Sequence, residues 1–143
     1  MNGFTIKKSI HIHAKPEAVF DALTRSEDIV KYFPLKRVTS EWNEGSEILL
    51  TGENNGNEFR DYGVILNLSR PGRFRYSYWS DNHGTERTPE NHLTIDYRLS
   101  PEPDGTRLDL EQNNLRSEEM ATWMDAIWDA LLDSLKAFVE QRT

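Results

Sequence analysis

The sequence predicts an α+β protein in which an antiparallel sheet of six or seven strands wraps around one long C-terminal helix. Between residues 35 and 115, runs of alternating apolar and polar residues are separated by segments rich in glycine, proline and asparagine, which is typical of an antiparallel meander. From residue 117 onward the apolar residues instead recur at helical spacing. A helix of about 25 residues is roughly 37 Å long, longer than these strands, so it must lie across the sheet.

The length of the chain limits the number of domains. Its 143 residues are enough for one hydrophobic core and too few for two ordinary domains. Apolar residues make up 36% of the chain and charged residues 29%, which is the balance of a folded globular protein. The sequence therefore predicts one domain over residues 1–143.

The charge and the residue usage argue against several classes of partner. The net charge of -7 repels nucleic-acid phosphates and anionic lipids, so neither nucleic acid nor membrane insertion is expected. No run of 18 apolar residues occurs and the N-terminal segment lacks an apolar export signal. Cysteine is absent, which fits a reducing compartment. These features predict a soluble protein of the cytoplasm.

The first strand and two short helices are predicted in residues 4–34. Apolar residues alternate with polar ones over residues 4–14, with Lys8 as the exception in the inward row. Pro16 suits the first turn of a helix. Ser26, followed by two acidic residues, is predicted to cap a second helix that Pro34 ends.

The strands of the meander are each predicted to bury one face. Residues two apart in a strand point to the same side of the sheet, so apolar residues at this spacing identify the inward row. The predicted inward residues are Ile48, Leu50, Tyr62, Val64, Leu66, Leu68, Phe74, Tyr76, Tyr78, Leu93, Ile95, Tyr97, Leu99, Leu108 and Leu110.

The C-terminal helix is predicted to begin near Ser117, with two glutamates in its first turn. Its second half is expected to fill the core through Leu131, Leu132, Leu135, Phe138 and Val139. Its first half is expected to face a cavity. The acidic residues Asp125, Asp129, Asp133 and Glu140 are expected on the opposite face of the helix.

The aromatic residues suggest where a ligand would bind. They are numerous for a small core, although core packing alone would also explain them. Gln112 continues the inward row of its strand, and a polar group in an apolar cleft can orient a small molecule. The candidate cavity residues are Trp42, Ile48, Leu50, Phe59, Tyr76, Tyr78, Leu93, Ile95, Gln112, Trp123, Met124 and Ile127.

No catalytic or metal site is predicted. His11 and His13 share a strand face and could supply two metal ligands, but the sequence shows no third, so they are interpreted as exposed histidines. His83 is placed in a turn, without a serine nucleophile beside it. Acidic residues at strand ends and turns, Asp61 among them, could rim a cavity, but solvated loops are favoured. No cofactor is expected.

Several long segments resemble one known family. They are KPEAVFDALT, EWNEGSEILL, YGVILNLSRPGRFRYSYWSDN, TPENHLTIDYRLSPEPDGTRLDLEQNN and the tryptophan-containing helix that ends in DSLKAFVE. Together they resemble the activator of heat-shock-protein-90 ATPase homologue-like family, within the START-like or SRPBCC superfamily. The resemblance implies the helix-grip fold, in which a sheet and a C-terminal helix leave a cavity between them.

The favoured hypothesis is that the protein binds a small apolar molecule, such as a lipid, a polyketide or a flavonoid-like compound, in this cavity. The resemblance leaves two alternatives: a cyclase or hydrolase that uses the same cavity, and a module that contacts a chaperone in a stress response. Fold alone does not decide between them. The protein is expected to be a monomer or a homodimer.

Overall fold

The computed structural model describes residues 3–81 and 84–142, so His83 lies outside the described residues. The chain forms seven strands and three α-helices. In chain order they are β1 (Phe4–Ile12), α1 (Pro16–Leu23), α2 (Ser26–Tyr32), β2 (Arg37–Ser40), β3 (Glu47–Asn54), β4 (Asn57–Ser69), β5 (Arg73–Ser80), β6 (Leu93–Glu102), β7 (Gly105–Leu115) and α3 (Glu118–Gln141), with a short 3₁₀ turn at Pro89–Asn91 before β6.

The strands form one antiparallel sheet in the order β1-β7-β6-β5-β4-β3-β2. Consecutive strands from β2 to β7 are neighbours, and β1 joins the far edge through β7. Apolar side chains on one face of the sheet form the core with α3, whose buried residues include Trp128, Leu132 and Leu135. The predicted α+β helix-grip architecture is thereby confirmed. None of the described helices has the length and apolar character needed to cross a membrane.

The prediction for β4 was wrong about which face is buried. Gly63 and Ile65 are buried, whereas Val64 is 36% and Leu66 43% exposed. A bulge follows Ile65, because the register to β5 shifts between residues 65 and 67, and Leu68 then packs against the core. Alternation separates the two faces of a strand but does not say which is buried, and exposed apolar residues are common. Tyr62 therefore also belongs to the outer row.

The start of β1 and the start of α2 also differ from the predictions. Phe4 is 41% exposed, and the pairing of β1 with β7 is irregular between Phe4 and Ile6. Arg25, not Ser26, occupies the cap position of α2, with extended backbone and no side-chain cap. Ser26 is the first helical residue, and its hydroxyl accepts a hydrogen bond from Trp42 Nε1.

Asp125, Asp129 and Asp133 are exposed on α3, as predicted, and acidic residues of this helix also contact the end strand of the sheet. Lys8, on the inward row of β1, lies 2.9 Å from carboxylate oxygens of both Asp125 and Asp129. Glu140 accepts hydrogen bonds from Lys136 Nζ and from the backbone N–H of His13. These contacts bind α3 to the β1 edge of the sheet.

Ser117 caps α3, as its position in the sequence predicts. Its hydroxyl accepts a hydrogen bond from the backbone N–H of Met120 at 3.0 Å. We expect Ser117→Ala to lower the free energy of unfolding by about 1 kcal/mol, because one of the unpaired N–H groups of the first turn loses its acceptor. Urea denaturation measures this. Ser134→Ala, an exposed mid-helix change, is the control, and an equal loss there would contradict the capping role.

Candidate functional site

A cavity of about 380 Å³ lies between the sheet and the first half of α3. Strands β3 to β6 form its floor, α3 forms its opposite wall, and the connection from α2 to β2 closes one side. Trp123 lines the cavity and is 58% exposed, so this residue marks its mouth. The described lining residues are Phe33, Pro34, Leu35, Leu50, Phe59, Asp61, Tyr76, Tyr78, Ser80, Ile95, Trp123, Met124, Ile127, Trp128 and Leu131.

Eight of the twelve candidate residues lie together around this cavity. They are Leu50, Phe59, Tyr76, Tyr78, Ile95, Trp123, Met124 and Ile127. Strand β5 contributes its tyrosines on the inner face because residues two apart point to the same side. On α3, residues three and four apart present one continuous surface to the cavity. The two periodicities therefore identify most of the walls.

Trp42, Ile48 and Leu93 lie outside the cavity lining. Trp42 follows β2; its indole N–H donates to Ser26 Oγ at 3.1 Å, and its ring packs against Phe74. Ile48 is buried under Gly63 of the neighbouring strand. Leu93 is buried at the start of β6, beside a separate small pocket. These three side chains stabilise the core that surrounds the cavity.

Gln112 stands behind the cavity wall and is fully buried. Its Oε1 accepts a hydrogen bond from Trp128 Nε1 at 2.7 Å, and its Nε2 donates to the Tyr78 hydroxyl at 2.9 Å. Both ends of the amide are therefore used within the protein. Gln112 does not line the cavity; instead it fixes the orientation of two side chains that do.

Asp61, for which the sequence favoured a solvated loop, instead lies within β4 and lines the cavity. It lies on the inner row of β4, opposite Leu50 of β3 and Ser80 of β5. Ser80 donates a hydrogen bond to the carboxylate, but Oδ1 is buried and has no hydrogen-bond partner among the described residues. Asp61 is the only charged side chain among the described lining residues.

The family of the chain can now be stated. The sequence model of the family described as Activator of Hsp90 ATPase homolog 1-like protein matches residues 13–140. The chain belongs to this family. The resemblance seen in the sequence is thereby confirmed, and no curated protein matches the chain.

Solved structures of similar fold come from several organisms. ChR145 from Cytophaga hutchinsonii is 30% identical, with a TM-score of 0.85 over 99% of this chain and 97% of that chain. CalU16 from Micromonospora echinospora is 27% identical, with a TM-score of 0.74 over 94% of this chain and 75% of that chain. The Aha1 dimer from Colwellia psychrerythraea is 19% identical and shows the fold alone, with a TM-score of 0.77 over 96% of each chain.

Burial dominates the electrostatics of this family member's cavity. Desolvation raises the pKa of Asp61 to about 6, and the nearby charge of Asp81 acts in the same direction, while the hydrogen bond from Ser80 partly opposes both. Burial also raises the pKa of Tyr76 and of Tyr78, so both phenols stay protonated and act as hydrogen-bonding groups. The cavity therefore offers an apolar surface with a single carboxyl group that exchanges its proton near pH 6.

Other lining residues were predicted as core or not predicted at all. Leu131 was assigned to the core-filling half of α3, yet it lines the cavity one turn beyond Ile127. The residues from Phe33 to Leu35 close the cavity because the chain leaves α2 after Tyr32 and crosses toward β2. No periodicity identifies such a connection. The inward position of Asp61 could have been predicted from the sequence. Asp61 is two residues after Phe59, which was a candidate cavity residue, and residues two apart in a strand point to the same side.

Proposed function

We propose that the protein binds a small, largely apolar molecule that carries one hydrogen-bond donor, in the cavity between the sheet and α3. A lipid, a polyketide or a flavonoid-like compound has this chemistry. The observation that supports the proposal is an apolar, aromatic cavity of about 380 Å³ in which one buried carboxylate oxygen, Asp61 Oδ1, has no hydrogen-bond partner among the described residues. A hydroxyl or amine on the ligand would supply that partner once the carboxyl group rotates toward the cavity.

The size and surface of the cavity suit such a ligand. Its volume lies in the range of small-molecule sites, which commonly combine apolar walls with a few polar groups. Removing about 300 Å² of apolar surface from water would contribute roughly 7 kcal/mol before the entropic cost of association. Micromolar affinity corresponds to about 8.2 kcal/mol, so this burial would supply a large share of it, and van der Waals contacts with the aromatic walls would have to add the rest. The hydrogen bond to Asp61 would fix the orientation of the ligand more than its affinity.

The same carboxyl group supports a second candidate function. A group that gains and loses a proton near pH 6 can act as a general acid or base, and Asp61 faces the space where a substrate would lie. A cyclase or hydrolase of this kind would convert compounds from the same chemical classes. Turnover that is lost in Asp61→Asn while binding persists would distinguish the enzyme from a binding protein.

The location and the assembly of the protein stay predictions. A location in the cytoplasm, a monomer or homodimer, and a contact with a chaperone are all consistent with the family. A chaperone contact would use the outer surface, so it does not depend on the cavity.

A pair of variants on β3 tests the binding proposal. Leu50 faces the cavity, whereas its neighbour Leu49 faces the outer side of the sheet. We expect fatty acids, flavonoids or polyketides to produce a saturable change in tryptophan fluorescence, and Leu50→Phe to weaken that binding at least about tenfold by filling the cavity. Leu49→Phe should bind like the parent protein.

Two further variants locate the fluorescence signal. Trp123→Phe should reduce the change, because Trp123 lines the cavity together with Trp128. Trp79→Phe should retain the full change, because Trp79 packs against Tyr62 on the outer face. The proposal fails if no compound in the panel binds. It also fails if Leu49→Phe and Leu50→Phe weaken binding equally.

A further inference from the structure

The end of β1 and the hairpin between β6 and β7 bring two histidines and an aspartate together. His11 pairs with Arg107 of β7, so the strand end lies beside the turn that connects β6 to β7. His11 and His13 project from the same side of the chain, and their rings are 4.6 Å apart. Asp104 occupies the turn. This aspartate is the third group that the sequence did not reveal.

The donor atoms of these side chains converge on one point. His11 Nε2 lies 3.2 Å from Asp104 Oδ1, and His13 Nδ1 lies 3.7 Å from Asp104 Oδ2. One donor atom from each residue lies within 4.8 Å of the other two. Ligand atoms at about 2.0–2.1 Å from a tetrahedral zinc ion are roughly 3.3 Å from one another, so small side-chain rotations would close the site. His13 and Asp104 are well exposed and can make them.

Only one of the two ring nitrogens of His11 has a hydrogen-bond partner among the described residues. His11 Nδ1 lies 2.5 Å from Glu102 Oε1, and because a carboxylate only accepts, Nδ1 carries the proton of this hydrogen bond. In the neutral ring, Nε2 then carries a lone pair and lies 3.2 Å from Asp104 Oδ1. This nitrogen is buried, and its approach to Asp104 is too poorly aligned for a hydrogen bond. A lone pair beside a carboxylate is stabilised by a cation, which can be a metal ion or a proton.

We propose that His11, His13 and Asp104 form a binding site for a divalent transition-metal ion of the zinc class. Imidazole and carboxylate groups are both ligands for zinc. When a histidine binds zinc through one ring nitrogen, its other ring nitrogen commonly donates a hydrogen bond to a carboxylate, which orients the ring. Glu102 has that position relative to His11. Water would complete the coordination. The metal would hold the end of β1 to the hairpin of β6 and β7.

The surroundings of the site favour a cation. Lys136 Nζ donates to the backbone oxygen of His11 and to Glu140. Arg107, opposite His11 on β7, donates to Asp109 and to Ser9. Both of these cations are therefore already paired. Gly105 follows Asp104, and a Cβ there would lie 3.1 Å from His11 Nε2 and 2.1 Å from the backbone oxygen of Ile12. Glycine thus permits the close approach of the turn to the histidines.

A proton on His11 is the competing explanation. An imidazolium between Glu102 and Asp104 would satisfy both carboxylates without a metal, and His13 would then have no role. The two explanations differ in one measurable way. A metal site binds zinc with a stoichiometry of one and depends on His13, whereas a protonated His11 does neither.

Calorimetric titration of the metal-stripped full chain with zinc chloride tests the proposal. We expect one zinc ion per chain, with micromolar affinity, and at least about a tenfold weaker affinity in His13→Gln and in Asp104→Asn, because each removes one ligand. His92→Gln and Asp81→Asn are the matched controls, because His92 bonds to Thr88 before β6 and Asp81 bonds to Arg60 on β4, both away from the site. They should bind zinc like the parent.

A second readout keeps the result independent of folding defects. Circular dichroism should show that each variant is folded, and zinc should raise the melting temperature of the parent and of the controls but not of His13→Gln. Absence of zinc binding to the folded parent would overturn the proposal and leave the protonated His11. Binding that His92→Gln weakens as much as His13→Gln does would show nonspecific capture by surface histidines, and would overturn it as well.

Discussion

Gln112→Met is expected to lower the free energy of unfolding by about 2–4 kcal/mol. The side chain is fully buried, and its amide joins Trp128 of α3 to Tyr78 of β5. Methionine has a similar volume, but its thioether is only a weak acceptor for the indole N–H and has no donor for the phenol oxygen. The variant therefore removes two buried hydrogen bonds while it creates little empty space. Chemical denaturation followed by circular dichroism measures the change.

The adjacent residue provides the control for this prediction. Glu111 points to the outer face of β7, where its side chain is 39% exposed. Glu111→Met should change the free energy of unfolding by no more than about 0.5 kcal/mol. If Gln112→Met were equally harmless, the bridge between the sheet and α3 would contribute nothing, and another interaction would have to orient Trp128.

Asp61→Asn is expected to stabilise the protein above pH 6. Burial raises the pKa of Asp61 from 3.8 to about 6 in the folded state, so the folded state binds a proton more tightly than the unfolded state does. The free energy of unfolding therefore falls as pH rises from about 4 to about 6, and this loss is complete above that range. At about 1.4 kcal/mol per pH unit, the change corresponds to about 3 kcal/mol. The asparagine variant avoids this cost.

Denaturation at pH 5, 6, 7 and 8 checks the prediction. The difference between Asp61→Asn and the parent should grow from pH 5 to pH 7 and then stay constant. Glu58→Gln, at an exposed position of the same strand, should follow the parent. Other carboxylates affect stability over a different pH range. The hydrogen bond from Arg70 lowers the pKa of Asp21, so the stabilisation that this ion pair contributes is lost only as pH falls through the acid range. A less stable Asp61→Asn at pH 7 would show that the carboxylate is well solvated.

This gain in stability would accompany a loss of function. A buried carboxylate without a full set of hydrogen-bond partners weakens the fold, and such groups persist where a ligand or a reaction needs them. The binding proposal therefore expects Asp61→Asn to be more stable at pH 7 and weaker in binding a ligand that donates a hydrogen bond to Asp61.

The sequence predicts the fold well because its strongest patterns are local. The helical spacing of apolar residues in α3 and the alternation in β5 and β6 each identify a buried row. The alternation of apolar and polar residues does not identify the buried face of β4. Apolar residues occur at both odd and even positions of this strand, and a bulge after Ile65 exchanges its two faces. A change of one residue in register exchanges every side chain between the two faces.

The candidate site is predicted only where it follows these periodicities. The sequence predicts most of the residues of β5 and α3 that line the cavity. It does not predict Phe33, because this residue lies in the connection between α2 and β2, which has no periodic pattern. The role of Gln112 depends on two partners distant in sequence. Asp104 joins His11 and His13 only because β1 pairs with β7, a contact between the two ends of the chain that local patterns do not reveal.

Methionine-methyl NMR tests the central claim, that a ligand occupies the cavity, most directly. Met124 lines the cavity, whereas Met120, one turn earlier on α3, lines a different pocket, so the two methyl groups form an internal comparison. On titration of ¹³C-methyl-labelled protein with a compound that changes the tryptophan fluorescence, we predict a saturable shift of the Met124 signal, little shift of Met120, and loss of the effect in Leu50→Phe. A shift of Met120 alone, or of neither signal at saturating compound, would contradict binding in this cavity.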